Sequence, residues 1–200
     1  ILYKIHEILF NYSFYITLKY RYSKMLKKNI SAIGFGTWPL GSETKLAGKQ
    51  IGWGPVDNDE SISAIHKALD LGINFFDTAD IYGAGTAEKI LGKVLSKERK
   101  SVIICTKFGI RELNGKNIRD FSIDWLNHAV ENSLRRLRTD YIDILLLHSP
   151  PDDFDWYNFD RSGLEKLRES GKIITYGVSS NTVYGAEIVL NAWGNTIIEV

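Results

Sequence analysis

From about residue 32 onward, short β-branched runs alternate with stretches whose apolar residues recur at helical spacing. Residues 32–35 fit a first strand that ends at Gly36. Asp57 as N-cap and Glu60 three positions later form a capping-box-like pair. Ile62, Ile65, Ala68 and Leu69 then share one helical face, and Gly72 stands where a C-terminal cap belongs. Residues 73–76 read as a strand running into Asp77. A second helix carries Ile90, Leu91, Val94 and Leu95 after Thr86, and residues 102–106 form a buried strand ending at Lys107. Ser122 caps a third helix whose face is Trp125, Leu126, Ala129, Val130, Leu134 and Leu137. Residues 142–147 are the most apolar strand and lead to His148. Leu164 and Leu167 belong to a fourth helix closed by Gly171; residues 173–178 form a fifth strand ending at Ser179. Residues 183–192 read as helix, and 197–198 begin a sixth strand.

This alternation predicts an α/β protein with a parallel sheet. An open doubly wound sheet and a closed (β/α)8 TIM barrel both fit it. Residues 34–38 lack the third glycine of a dinucleotide-binding fingerprint, and no helix follows them directly. Asp77, Lys107, His148 and Ser179 each fall at the C-terminal end of a different strand, the face on which barrel enzymes build their sites. That pattern favours the barrel.

Composition narrows the class. Lys and Arg number 25 against 24 Asp and Glu, which argues against a nucleic-acid-coating surface or a polybasic membrane patch. The lone cysteine, Cys105, permits no internal disulfide and no cysteine-based zinc site, and fits a reducing compartment such as the cytoplasm. No apolar run approaches the roughly 18 residues of a membrane span. Residues 1–24 are aromatic and basic and precede the only methionine, Met25. They are expected to form an extension outside the fold, with residues 25–200 as an incomplete barrel domain; a membrane-surface helix is the other reading of the extension. A chain ending in the β-branched run 196–200, after six strand signals, is expected to be a fragment that folds poorly alone or needs a missing C-terminal part for activity.

The chemistry rests on a constellation. Alone, an Asp after a strand is usually a turn residue, a loop Tyr is packing, and a Lys after a buried strand snorkels to solvent. Together on one rim, such groups can move a proton. A free tyrosine titrates at about 10; a buried lysine beside it favours the phenolate, and an aspartate keeps that lysine charged. A neighbouring histidine orients a carbonyl or completes a proton path. His66 and His128 are expected at the surface, Cys105 in the core, and Asp143 in a structural role. Trp53 and residues 150–153 are candidates to shape a substrate pocket.

Several segments carry a family resemblance. Residues 76–83, with Asp77 and Tyr82 five positions apart, resemble the strand-two motif of the aldo-keto reductase superfamily. Thr106 and Lys107 resemble its strand-three lysine, and residues 145–148 its strand-four histidine. Residues 33–38, 133–143, 171–173 and 176–179 resemble other family segments, in the family's order. The resemblance implies an NAD(P)H-dependent oxidoreductase that reduces an aldehyde or ketone, with NADP(H) favoured over NAD(H). Tyr82 would be the general acid, Lys107 and Asp77 would tune it, and His148 would orient the carbonyl. Gly36, Thr37 and Trp38 would lie near the cofactor, as would Asp77. Ser179 would hold the carboxamide, with Ser180 or Asn181 beside it. No metal is implied. The alternative, also from the family, is a cofactor-binding regulatory subunit of the potassium-channel β-subunit type.

Overall fold

The computed structural model describes residues 19–41, 44–46, 48–51, 54–194 and 196–199. Trp53 and residues 1–18 lie outside this set. The described chain opens with a hairpin, β1 (Tyr20–Ser23) and β2 (Lys28–Ser31), paired antiparallel. The domain boundary expected between residues 24 and 25 lies in its turn. Leu26, also in that turn, is buried against Ile103, Cys105, Ile144 and Leu146. The hairpin therefore plugs one end of the strands described next.

The first barrel strand is β3 (Phe35–Gly36), followed by a 3-10 turn (Trp38–Gly41). It is shorter than expected. The Ala32 amide donates to the Lys19 carbonyl at 2.8 Å, so residue 32 belongs to the hairpin, and Ile33 is 53% exposed. A small hairpin, β4 (Thr44–Leu46) and β5 (Lys49–Ile51), leads to α1 (Asn58–Asp70) and β6 (Phe75–Asp77). A second 3-10 turn (Tyr82–Gly85) enters α2 (Thr86–Leu95) and then β7 (Ile103–Phe108). A third hairpin, β8 (Ile110–Leu113) and β9 (Lys116–Arg119), precedes α3 (Ile123–Leu137) and β10 (Ile142–His148). The chain continues through α4 (Ser162–Glu169), β11 (Ile173–Ser179), α5 (Val183–Trp193) and β12 (Ile197–Glu199).

The helices begin and end where side-chain chemistry directs. The Asp57 carboxylate accepts from the Asp59 and Glu60 amides at 2.6 and 3.3 Å, and Ser122 Oγ accepts from the Trp125 amide at 3.3 Å. Gly72 and Gly171 end α1 and α4 with φ of 82° and 76°, a region glycine enters without a Cβ penalty. Among the described residues no helix is long and apolar enough to cross a membrane.

Strands β3, β6, β7, β10, β11 and β12 form one sheet in chain order, and each neighbouring pair is parallel. A doubly wound sheet reverses its strand order partway. This one does not, and it is part of a β/α barrel. Period-two alternation builds two cores. Ile103, Cys105, Ile144 and Leu146 point into the barrel with Leu26. Phe76, Ile104, Leu145 and Leu147 point outward and pack on Ile65, Leu91, Leu126, Val130 and Leu164 of the helices.

Near the N-terminal ends of the strands sits a buried ionic cluster. The Asp143 side chain, fully buried, accepts from Lys28 Nζ at 2.8 Å and from the Ile104 amide at 3.0 Å, and pairs with Arg99 at 2.6 Å. The Arg99 guanidinium also lies 3.8 Å from the Tyr141 ring centroid. Asp143 thus ties the hairpin, β7 and β10 together, a structural position.

Candidate active site

Because the strands are parallel and in register, their last residues converge. Asp77 ends β6, Lys107 is the penultimate residue of β7, His148 ends β10 and Ser179 ends β11, with His148 opposite Ser179. The outward residues Phe76, Leu145 and Leu147 anchor these strands in the helix layer, which turns Asp77, Lys107 and His148 inward. The Lys107 side chain is 1% exposed, and its Nζ donates to Asp77 Oδ1 at 2.5 Å and to the Thr78 carbonyl at 3.2 Å. Tyr82 begins the 3-10 turn after β6. Its ring meets His148 edge-on, centroids 5.9 Å apart at 80°, and Lys107 Nζ lies 5.4 Å from the Tyr82 ring centroid. All four expected proton-handling residues are therefore gathered on one rim.

The electrostatics departs from expectation in one respect. Burial pushes the Tyr82 phenol up; Lys107 draws it down, and Asp77 and Glu199 push it up again. The net result lies above the ordinary 10.0: burial outweighs the lysine, contrary to the expectation that Lys107 would favour the phenolate. Burial by itself would drive the Lys107 ammonium down, but the charges of Asp77, Tyr82 and Glu199 outweigh it and hold the cation above the ordinary lysine range. Asp77 is raised, first by burial and further by Glu199, against the pull of Lys107. His148 is pushed down to about 3 by burial and by the nearby charges of Lys107 and Arg119.

Two charged residues at this rim escaped the sequence reading. Glu199 ends β12, and its Oε2 lies 3.3 Å from Lys107 Nζ. The signal was present: Glu199 is the one charged residue in the run 196–200, at the C-terminal end of the sixth strand. Arg119 ends the β8–β9 hairpin, and its Nε donates to the Ser149 carbonyl beside His148. That hairpin was foreshadowed by Asn114 and Gly115, both at positive φ (51° and 72°), the turn pair that matches strand twist. Arg119, Phe121, Pro151, Phe154 and Phe159 line a groove of about 330 Å³. Pro151 belongs to the 150–153 segment expected to shape a pocket.

The remaining expected residues fall around the same mouth. Gly36 pairs with Asp77 across β3 and β6. Thr37 is fully buried, its amide donating to the Asp77 carbonyl at 2.9 Å. Trp38 is 49% exposed, its ring 6.4 Å from that of Tyr82. Ser180 Oγ donates to the Thr182 carbonyl at 2.8 Å, and Asn181 Oδ1 accepts from Ser149 Oγ at 2.9 Å. His66 and His128 are exposed and Cys105 is buried. Thr37 Oγ1, just past β3, and His148 Nδ1 and Glu199 Oε2, at the ends of β10 and β12, are buried without a hydrogen bond. Buried polar groups normally find partners. This set fits a ligand that brings hydrogen-bonding groups, as a nicotinamide and a carbonyl substrate would.

The fold and the site define a parallel β/α barrel that gathers an ion pair, a tyrosine and a histidine on its C-terminal rim. Comparison with known proteins narrows that class. The model of the Aldo/keto reductase family matches residues 32–198, and the chain belongs to that family. L-galactose dehydrogenase of Arabidopsis thaliana is 36% identical over 159 residues, covering 75% of this chain and 44% of the relative. Among solved structures, the aldo-keto reductase AKR11C1 from Bacillus halodurans (holo form) superposes with a TM-score of 0.74. It is 32% identical, and the match covers 90% of this chain and 56% of that one. An aldo-keto reductase from Klebsiella pneumoniae in complex with NADPH gives a TM-score of 0.62 at 28% identity, covering 83% of this chain and 51% of that one. The chain spans about half the length of the curated relatives it matches.

Proposed function

We propose that the protein reduces an aldehyde or ketone to an alcohol with NAD(P)H, using Tyr82 as the general acid. The observation that carries this reading is the packing of Tyr82 against His148 (5.9 Å between ring centroids) over a Lys107–Asp77 pair closed at 2.5 Å. The cofactor supplies a hydride to the carbonyl carbon when bound. The chain supplies the rest. The neutral His148 imidazole receives the carbonyl through a hydrogen bond and sets its angle. The Tyr82 hydroxyl hands its proton to the carbonyl oxygen as negative charge develops there. The Lys107 ammonium stabilises the phenolate left behind, and Asp77 keeps that ammonium charged and aimed. Gly36, Thr37, Trp38, Asp77, Ser179, Ser180 and Asn181 would hold the cofactor. NADP(H) is the preferred form on this reading, supported by the NADPH complex of the Klebsiella relative. The lone buried cysteine supports a reducing compartment, and we place the reaction in the cytoplasm.

The regulatory-subunit alternative is not favoured. The relative and the solved structures above are described as a dehydrogenase and reductases. The test is oxidation of NADPH and NADH with a panel of aldehydes and ketones, with Tyr82→Phe in parallel. The parent turns over; Tyr82→Phe loses at least about a hundredfold in kcat, the scale of general acid catalysis, while cofactor binding persists. A parent that binds cofactor and turns over nothing, or a Tyr82→Phe variant as fast as the parent, defeats the assignment.

A further inference from the structure

Lys107 faces two carboxylates. Asp77 lies 2.5 Å from its Nζ on one side, and Glu199 lies 3.3 Å away on the other. Glu199 comes from β12, three strands across the sheet from β7, so its side chain spans the barrel mouth to reach the lysine. Its place is held from behind: the Ser180 amide donates to the Glu199 carbonyl at 2.7 Å, and Glu199 stands opposite Ser179 in the β11–β12 register. The Oε2 atom aimed at Lys107 is buried and lacks a hydrogen bond. One ammonium thus faces two acidic side chains, so acidic groups outnumber the lysine at this corner of the mouth. Arg119, the other cation near His148, comes from the hairpin after β7 and is exposed to solvent.

A reduced nicotinamide ring is uncharged, whereas the oxidised ring is a cation. We propose that Glu199 is a specificity-determining residue for cofactor redox state: its carboxylate makes the mouth hold the oxidised nicotinamide more tightly, relative to the reduced form, than an uncharged side chain would. The inference rests on the proposed function, because it requires that a nicotinamide lie beside Ser179. A carboxylate within a few ångströms of a fixed positive ring acts through a partly desolvated path, where charge–charge attraction is several times stronger than in water. The Glu199 side chain is 42% exposed, which screens part of that attraction. The same carboxylate treats the neutral reduced ring nearly as an amide would. The preference therefore appears in the ratio of the two affinities.

The test measures dissociation constants of NADP+ and NADPH by titration calorimetry on the wild-type protein, Glu199→Gln and Glu199→Asp. Glu199→Gln is nearly isosteric, and circular dichroism melting verifies that each variant is folded. The expected result is that Glu199→Gln weakens NADP+ about tenfold relative to NADPH, while Glu199→Asp, which keeps the charge, retains most of the wild-type ratio. An unchanged ratio in Glu199→Gln overturns the inference while leaving the proposed function intact. Equal weakening of both forms also overturns it, because a merely structural role moves the two together. Failure of the wild-type protein to bind either form defeats the proposed function and this inference with it.

Discussion

Gly83 and Gly41 pass so closely that a Cβ on Gly83 would stand 2.2 Å from the Gly41 carbonyl oxygen. Gly83 also has a φ of 62°, a conformation that disfavours any side chain by about 1–2 kcal/mol. This crossing joins the turn after β3 to the turn that carries Tyr82, so it sets where the phenol points. Gly83→Ala should therefore pull the two turns apart and displace Tyr82. The expected outcome is a loss of at least about tenfold in carbonyl reduction, since small misplacements of a reacting group are amplified in rate. The loss should exceed what the fall in melting temperature explains. Wild-type turnover by a folded Gly83→Ala protein would show that the crossing does not position the tyrosine.

Much of this arrangement was legible in the chain because it follows from local periodicity. Phe76, Ile104, Leu145 and Leu147 alternate with inward residues, so the strand ends that carry Asp77, Lys107 and His148 could be placed from sequence alone. Caps such as Asp57 and Ser122 act within three or four residues and were equally visible. What could not be read depends on closure across the sheet. Glu199 meets Lys107 only because β12 curls round to face β7, a relation between residues 92 positions apart. The Tyr82 titration followed the same logic. A local reading counted one lysine, whereas the folded site adds burial and a second carboxylate, and these reverse the sign.

Asp143 is fully buried between Lys28 and Arg99, at 2.8 and 2.6 Å. Removing one partner of a buried ionic group leaves the other charges uncompensated, which costs about 3–5 kcal/mol. Asp143→Ala should lower the unfolding free energy by that amount, read as a fall in the urea midpoint at unchanged slope. Below the transition, its rate of carbonyl reduction should stay near wild type, because Asp143 sits five residues before His148, toward the opposite end of β10. A urea midpoint within experimental error of wild type would mean that the cluster is energetically idle.

Leu26 is 5% exposed and plugs the barrel against Ile103, Cys105, Ile144 and Leu146. Leu26→Ala opens a cavity at the end of the barrel interior, and burial losses of this kind cost about 2–5 kcal/mol. Leu26→Met, which nearly conserves volume, should cost under about 1.5 kcal/mol. Denaturant titration of both variants separates a packed plug from a hairpin that merely rests on the surface. Equal stabilities for Ala and Met would support the latter.

His148 supplies a prediction in pH. Its imidazole is pushed from 6.5 down to about 3, by burial first and then by Lys107 and Arg119. The folded protein therefore resists protonation there, whereas the unfolded chain takes up that proton near 6.5. As pH falls below that value the unfolded state binds more protons than the folded state, and linkage then favours unfolding. The stability associated with neutral His148 is complete above pH 6.5 and is lost progressively as pH falls toward about 3. His148→Gln cannot take up the proton in either state, so its melting temperature should fall less steeply between pH 7 and pH 4.5 than that of wild type. Nuclear magnetic resonance of the His148 ring should likewise find no titration between pH 5 and pH 8. If the ring titrates near 6.5 and the two proteins lose stability in parallel, burial and the charges of Lys107 and Arg119 do not hold His148 neutral, and the neutral carbonyl partner that the proposed mechanism requires is lost as pH falls through that value.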